Sequence, residues 1–374
     1  MIFTVFSTTA NEALQWQSEL LEYSWGRVKQ PGELVRLVAI GPHEALPRHR
    51  LARATGTLCW SPHPYTSDVY PAYNRAASVL EWLFAERIDG TILLVEPNCV
   101  FRAAAAQEVG PGEARATAWP DLPRTGEGPF ALGPRFAFLE RFCVNRALEL
   151  PRVRLPVLIH SSDLRKLAAR WLELMSIIRV ETAQSGQGGF GAADELAYAV
   201  AAAEAEIPHA ITELAVDTSA GDSKAPLLHY RRPIESKRGE VVWDAQVYRS
   251  WDRIEPQRAV PGTGRDFLVL LEEYIARLAE GGELAFLRPR RRTGVRVGRV
   301  LDQTILEVPG RSDTLSLNPS AAAIWELCDG ARVLADLTRE LATRFQLAPE
   351  EMRSDVQSVI ERLESVGALD LEPA

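Results

Sequence analysis

Over roughly the first 285 residues, short apolar runs take turns with stretches of helical spacing. Ile2-Phe-Thr-Val-Phe-Ser7 is β-branched and aromatic and predicts a strand. Ala13 to Val28 then has helical periodicity through Leu14, Leu20, Leu21 and Trp25, and Pro31-Gly32 opens a second strand, Leu34 to Ile40. Further on, an amphipathic helix from Asn74 to Glu86 carries Ala77, Val79, Leu80 and Leu83, and after Asp89-Gly90 a strand runs from Thr91 to Val95. A helix over Leu164 to Ile178 has the stripe Leu164, Leu167, Trp171, Met175 and Ile178, which predicts core. Strands alternating with helices predict an α/β domain with a mostly parallel sheet and its ligands at the carboxyl ends of the strands.

The period changes near the end of the chain. Val295, Val297, Thr304 to Val308 and Thr314 to Leu317 predict two or three short strands separated by turn formers such as Pro309-Gly310. Asn318 before Pro319 is an N-cap with proline at the first helical position, and Gly330 supplies a left-handed stop. The last helix opens at Pro349-Glu-Glu351, buries Met352, Val356, Val359, Ile360, Leu363 and Val366, and ends at Gly367. A small sheet followed by three helices is a winged-helix-like α+β domain over 295–374. Before it lies Leu287-Arg-Pro-Arg-Arg-Arg-Thr-Gly294, read as a basic linker closing a first domain of 1–286. Its arginines are either a solvated charge run or a means of capturing an acidic peptide.

Composition removes several classes. With 374 residues, 46% hydrophobic content and a net charge of −8, the chain has enough apolar material for two cores and is no general polyanion binder. The last helix carries Glu350, Glu351, Asp355, Glu361 and Glu364 against Arg353 and Arg362, so phosphate would repel it and no nucleic acid is expected. Cys59, Cys99, Cys143 and Cys328 have no paired spacing, no basic-plus-apolar leader opens the chain, and no apolar run reaches the roughly 20 residues of a membrane span. The expectation is a cytoplasmic protein with no membrane contact. The six histidines show no HExxH spacing and no Gly-x-Ser-x-Gly elbow is present, which ranks hydrolases low.

Two resemblances give these elements a function. Leu315-Ser-Leu-Asn-Pro-Ser-Ala-Ala-Ala-Ile-Trp-Glu-Leu-Cys-Asp-Gly330 with Asp355-Val-Gln-Ser-Val-Ile-Glu-Arg-Leu-Glu-Ser-Val-Gly-Ala-Leu369 resembles the PqqD-like family of leader-peptide recognition elements. That resemblance implies a precursor peptide as partner, its leader adding as a strand to a sheet edge and resting on the last helix. The edge falls at Thr314, Leu315 and Leu317, and the facing helix positions at Arg353, Val356 and Ile360; ordinary core is the other reading of the apolar ones. Along the first 255 residues, Phe6-Ser-Thr-Thr, Trp16-Gln17, Tyr70-Pro-Ala-Tyr-Asn-Arg75, Glu81-Trp-Leu83, Leu94-Val-Glu-Pro-Asn98, Ile159-His-Ser-Ser-Asp-Leu164 and Leu228-His-Tyr230 recur in an order that resembles the plant and algal peptidyl hydroxyproline O-arabinosyltransferases and peptidyl serine O-galactosyltransferases.

The second resemblance implies a GT-A-like nucleotide-sugar-binding domain that transfers sugar from a UDP-sugar donor to a peptide hydroxyl, with a divalent metal, Mn or Mg, on the diphosphate. Glu96, Asn98 and His229 are then the metal ligands, although an acid is expected where Asn98 stands. Asn74 and Arg75, opening a helix, would face the diphosphate, and Thr8 and Gln17 the base; an N-cap with a surface arginine, and structural roles, are the competing readings. Asp163, Asp194 and Glu195, all at helix starts, are candidates to orient or deprotonate the acceptor, or simply satisfy a helix dipole. The Gly-rich stretch Gln184–Gly191 lacks the lysine of a phosphate loop and is read as a loop closing over the donor. The alternative to a peptide O-glycosyltransferase is a non-catalytic scaffold that carries peptide on a degenerate transferase domain.

Overall fold

A computed structural model of the chain describes residues 1–9, 12–40, 58–60, 70, 72–119, 132–142, 150–184, 190–219, 223–236, 238, 241–244, 260, 262–281, 287–301, 303–311 and 314–373. Residues 185–189, the centre of the Gly-rich stretch, lie outside them. The chain divides into two compact units, the first ending at Phe267 and the second taking Leu268–Ala374.

The first unit is built on β1 (Ile2–Thr9), β2 (Glu33–Ile40), β3 (Leu58–Trp60), β4 (Thr91–Val95), β6 (Ala114–Ala118), β7 (Val153–His160) and β8 (His209–Ile211), in the order β3-β2-β1-β4-β7-β6-β8. β1 runs parallel to both β2 and β4, and β7 alone opposes the others. Both faces are covered, which is why β1 and β4 read as continuous apolar runs. Phe3, Val5, Ile92 and Leu94 join a core with α2 (Tyr73–Ala85), α3 (Ser161–Thr182) and α4 (Ala193–Glu204). On the other face Ile2, Phe6, Leu93 and Val95 pack with Leu21 of α1 (Glu12–Arg27) and with Phe101. Two glycines permit the entry into this trio of strands. A Cβ on Gly32 (φ +97°) would stand 1.9 Å from the Ile2 carbonyl oxygen, and one on Gly90 2.4 Å from that of Met1.

A second sheet, β5 (Cys99–Phe101), β10 (Leu227–His229) and β9 (Ala215–Asp217), lies beyond the end of β4. β10 is antiparallel to β5 with His229 opposite Cys99, and parallel to β9 with His229 opposite Asp217. A ribbon of β11 (Ile234–Glu235) and β12 (Val241–Trp243) follows, and Phe267 of α5 (Gly262–Gly281) packs on Tyr230 and Trp243 at centroid distances of 4.6 and 4.7 Å.

In the second unit, the antiparallel β14 (Arg296–Val300), β15 (Gln303–Glu307) and β16 (Thr314–Leu317) are followed by α6 (Pro319–Leu327), α7 (Leu334–Phe345) and α8 (Pro349–Ser365). Asn318 caps α6 by accepting from the Ala321 amide at 2.8 Å, and Gly330 and Gly367 have φ of +78° and +76°. The linker reading is corrected here. Leu287–Arg291 is a strand, β13, paired antiparallel with β17 (Leu369–Pro373). Two arginines of the run meet acids of β17: Arg290 pairs with Glu372 at 3.1 Å, and Arg292, just past β13, with Asp370 at 2.7 Å. The charge run therefore belongs to the domain, and an alternating apolar pattern was hidden because Leu287 and Pro289 are its only buried positions.

Candidate functional site

At the carboxyl ends of β1 and β4 a cavity of about 430 Å³ is lined by residues from six separate segments. Thr8 is the penultimate residue of β1, Gln17 comes from α1, Asn74 and Arg75 from the first turn of α2, Glu96 and Asn98 from the turn after β4, Asp194 and Glu195 from the first turn of α4, and Arg231 from just past β10. Of the ten residues expected to face the donor, its metal or the acceptor, eight line this one cavity, and Asp163 and His229 are not among its lining residues. Asn74 is no N-cap: that position belongs to Ala72, and Asn74 is buried beside Ser7.

Charge organises the walls. Arg75, 12% exposed, donates through Nη2 to Glu96 Oε1 at 2.9 Å and through Nη1 to Asp194 Oδ2. Arg231 donates to Glu96 Oε2 at 3.1 Å and to Glu195 Oε1 at 3.3 Å. His229 lies behind Glu96, its Nε2 2.7 Å from Oε2. Burial pushes the Glu96 carboxyl up, but Arg75, the His229 hydrogen bond and Arg231 outweigh it and hold the group well below the usual carboxylate range. Glu195 goes the other way: burial and the negative charges of Glu96 and Asp194 raise it, against the smaller opposing pull of Arg231 and Arg75. Thus the two adjacent acids of α4 differ. Asp194 is clamped by Arg75 and lies 3.1 Å from the Tyr70 hydroxyl, whereas Glu195 has one weak partner and a raised proton affinity.

Asp163 is corrected. It is fully buried and absent from the cavity lining; its carboxylate accepts from the Gly112 amide and from Lys166, both at 2.6 Å, and anchors a turn to the start of α3. Arg231 and Tyr70 were missed. Tyr70 reaches the Gly191 carbonyl at 2.7 Å under an Arg179 guanidinium 4.3 Å from its ring. Arg231 directly follows the Leu-His-Tyr motif, and an arginine two residues beyond a candidate ligand was the available signal.

The metal reading of Glu96, Asn98 and His229 does not fit their arrangement. Both Glu96 oxygens are held by guanidinium and imidazole groups. Arg231 Nε, always protonated, lies 2.9 Å from His229 Nδ1, which also faces Asp217 Oδ1 at 3.4 Å, while Nε2 faces Glu96. Both ring nitrogens of His229 therefore already face partners. Only Asn98 Oδ1, buried without a hydrogen-bond partner, remains as a donor atom. Among the described residues no group of three or more His, Cys, Asp or Glu side chains is arranged to hold a metal ion.

In the second unit a groove of about 660 Å³ runs along β16, α6 and α8. β16 is the edge strand of its sheet, with Leu317 buried and Ser316 exposed. The helix side of the groove is Met352, Asp355, Val359 and Arg362, one step round α8 from the expected face. Val356 and Ile360 are corrected: both are 0% exposed and belong to the core with Leu306, Ile324, Trp325 and Leu337. Arg353 is not among the lining residues. Phe345 and Leu347, unexpected from the sequence, complete an apolar rim with Ile324 and Leu363.

Comparison with known proteins finds likenesses of two kinds. Residues 303–369 match the family model described as Coenzyme PQQ synthesis protein D (PqqD), so the second unit contains a PqqD domain. The chain is also similar to the peptidyl serine alpha-galactosyltransferase of Arabidopsis thaliana, 27% identical over 267 residues, which cover 68% of this chain and 32% of that protein. The chain thus spans about a third of that relative's length. Among solved structures, TbiB1 in complex with the TbiA(beta) leader peptide is similar at 12% identity, covering 22% of this chain and 94% of that one with a TM-score of 0.20. The galactosyltransferase LgtC in complex with donor and acceptor sugar analogs is similar at 11% identity, covering 73% of this chain and 95% of that one with a TM-score of 0.40. The pairing inferred from the tail and the ordered motifs, a transferase-like region with a PqqD domain, is found again by these comparisons.

Proposed function

We propose that the chain is a peptide O-glycosyltransferase with a GT-A-like first domain. It takes sugar from a UDP-sugar and delivers it to a hydroxyl of a ribosomally made precursor, whose leader is held in the groove of the PqqD domain. The observation that carries this reading is the gathering of Thr8, Gln17, Asn74, Arg75, Glu96, Asn98, Asp194 and Glu195 round one polar cavity at the strand ends. The relative named above acts on a peptidyl serine, and a leader-holding groove in the same chain supports a peptide acceptor here.

In the reaction the bond from the anomeric carbon to the diphosphate oxygen breaks, a bond from that carbon to the acceptor oxygen forms, and UDP departs with the bonding electrons. Arg75 and Arg231 are the cations that meet its charge. Glu195, with its raised proton affinity, receives the hydroxyl proton. Asp194 holds Arg75 in place. Thr8 and Gln17 face the base, and Asn74 the ribose–diphosphate end. On the peptide side, the leader extends along β16 at Thr314, Leu315 and Leu317 and its side chains enter between Phe345, Leu347 and Val359. Tethering the core peptide in this way raises its effective concentration to about millimolar, so the cavity need recognise only a short acceptor sequence.

The test is UDP release from a panel of UDP-sugars by the full chain, with and without Ser- and Thr-containing peptides. Release with one sugar, lowered by about 10²-fold or more in Glu195→Gln on a peptide acceptor, is expected. Absence of both release and UDP-sugar binding would remove the enzyme reading and leave the peptide-carrying scaffold.

A further inference from the structure

The misfit between the expected metal ligands and their hydrogen bonds points to a substitution of one cation for another. We propose that Arg231, with Arg75, takes the place of the divalent metal in this site, so that a nucleoside diphosphate binds to guanidinium groups without a metal bridge. This rests on reading the cavity as a nucleotide-sugar site.

Three observations converge on it. First, the groups that a cation would need already have partners: Arg75 donates to Glu96 Oε1, Arg231 and His229 Nε2 meet Oε2, and His229 Nδ1 lies 2.9 Å from Arg231 Nε and 3.4 Å from Asp217 Oδ1. Hard divalent ions want about six oxygen-type ligands, and of the three expected ligands only Asn98 offers an oxygen with no hydrogen-bond partner. Second, Arg231 stands where the ion would be, within 3.1 Å of Glu96 and 2.9 Å of His229, the two charged or basic members of the expected ligand set. A dication added there would sit against a fixed positive charge. Third, the cavity has cationic donors to spare. Arg75 Nε is buried without a hydrogen-bond partner, and Arg231, 29% exposed, lines the same cavity. Planar guanidinium forks suit phosphate oxygens, which accept two parallel hydrogen bonds. The neutral Asn98 at the motif's third position is consistent with the same exchange, since removing one carboxylate lowers the affinity for a metal while two arginines keep the site attractive to a diphosphate.

The experiment is titration calorimetry of UDP against the full chain in EDTA and again in Mn²⁺, with the Mn²⁺ paramagnetic resonance signal followed in parallel. The expected result is a UDP affinity the same within about twofold in both conditions, with the free Mn²⁺ signal lowered by protein plus UDP no more than by UDP alone. Arg231→Gln should weaken UDP by about 10- to 100-fold, and Arg231→Lys, which keeps the charge but not the fork, by less. Arg75→Gln is checked by its thermal melt first, because it strips partners from Glu96 and Asp194; Arg231→Gln alone decides if that variant is unfolded. UDP that binds tenfold or more tighter with Mn²⁺, accompanied by loss of free Mn²⁺ signal beyond that caused by UDP alone, would overturn the substitution and leave the donor site standing. No UDP binding in either condition would overturn both.

Discussion

The cavity of the first unit and the groove of the second are walled in opposite ways. In the cavity, charged side chains from distant segments are partly or wholly buried and neutralise one another: Arg75 and Arg231 between Glu96, Asp194 and Glu195. In the groove, neighbouring elements expose an edge strand beside apolar side chains, Phe345, Leu347, Val359 and Met352. The first arrangement is expensive in desolvation and suits a ligand whose charge changes during reaction. The second offers main-chain hydrogen bonds and shallow apolar contact, which suits a chain to be held and released.

The largest test of this contrast is Glu96→Ala. It leaves two largely buried guanidiniums short of a partner and is expected to cost about 3 to 5 kcal/mol of stability in chemical denaturation. A loss under 1 kcal/mol would mean that the charge network is looser than its distances indicate. In the groove the expected effects separate by face. Ile360→Ala, in the core, is expected to lose about 2 to 4 kcal/mol of stability. Val359→Asp, half-buried on the groove, should lose less stability than Ile360→Ala while weakening a leader peptide by about tenfold or more and leaving UDP binding unchanged. Equal losses of stability in the two variants would merge the faces that the structure separates.

Proton linkage gives a smaller effect. Glu195 has a raised folded-state affinity for its proton, so its favourable contribution is complete below the ordinary glutamate value, about 4.3, and is lost as pH rises through the higher folded value. Glu96 is depressed, and its contribution is lost in the opposite direction, as pH falls below the ordinary range. Melting curves of wild type and Glu195→Gln between about pH 4 and about pH 8 should therefore diverge towards the alkaline side, with the wild type losing ground. Parallel curves would place Glu195 in water rather than against its neighbours. Smallest of all is Arg292→Ala, which removes an exposed pair with Asp370 and should leave both melting temperature and peptide affinity unmoved. A drop in peptide affinity would restore a capturing role to these arginines.

Much of the fold was legible along the chain because its signals are local. The strands at Ile2–Thr9 and Thr91–Val95, the helix at Tyr73–Ala85, the Asn318 cap and the Gly367 stop follow from apolar runs, turn residues and caps a few positions apart. β13 was not legible, since a strand of mostly exposed arginines has no alternation to detect and is defined by its partner some eighty positions later. The helix α8 was foreseen with its stripe, but which side of the stripe met the sheet and which met the groove depended on packing against Leu306 and Trp325.

The sequence by itself determined the inventory of the candidate site: which residues bear charge, that they sit at strand and helix ends, and that Asn98 is neutral where an acid is expected. Tertiary structure alone decided which of them meet. It brought Arg231 within 3.1 Å of Glu96 across 135 positions, turned both nitrogens of His229 inward to fixed partners, and sent Asp163 to anchor the Gly112 turn. The physical reason is that propensity and periodicity act over a few residues. The protonation, pairing and free lone pairs of a side chain are set by whichever charges the fold places within hydrogen-bond reach.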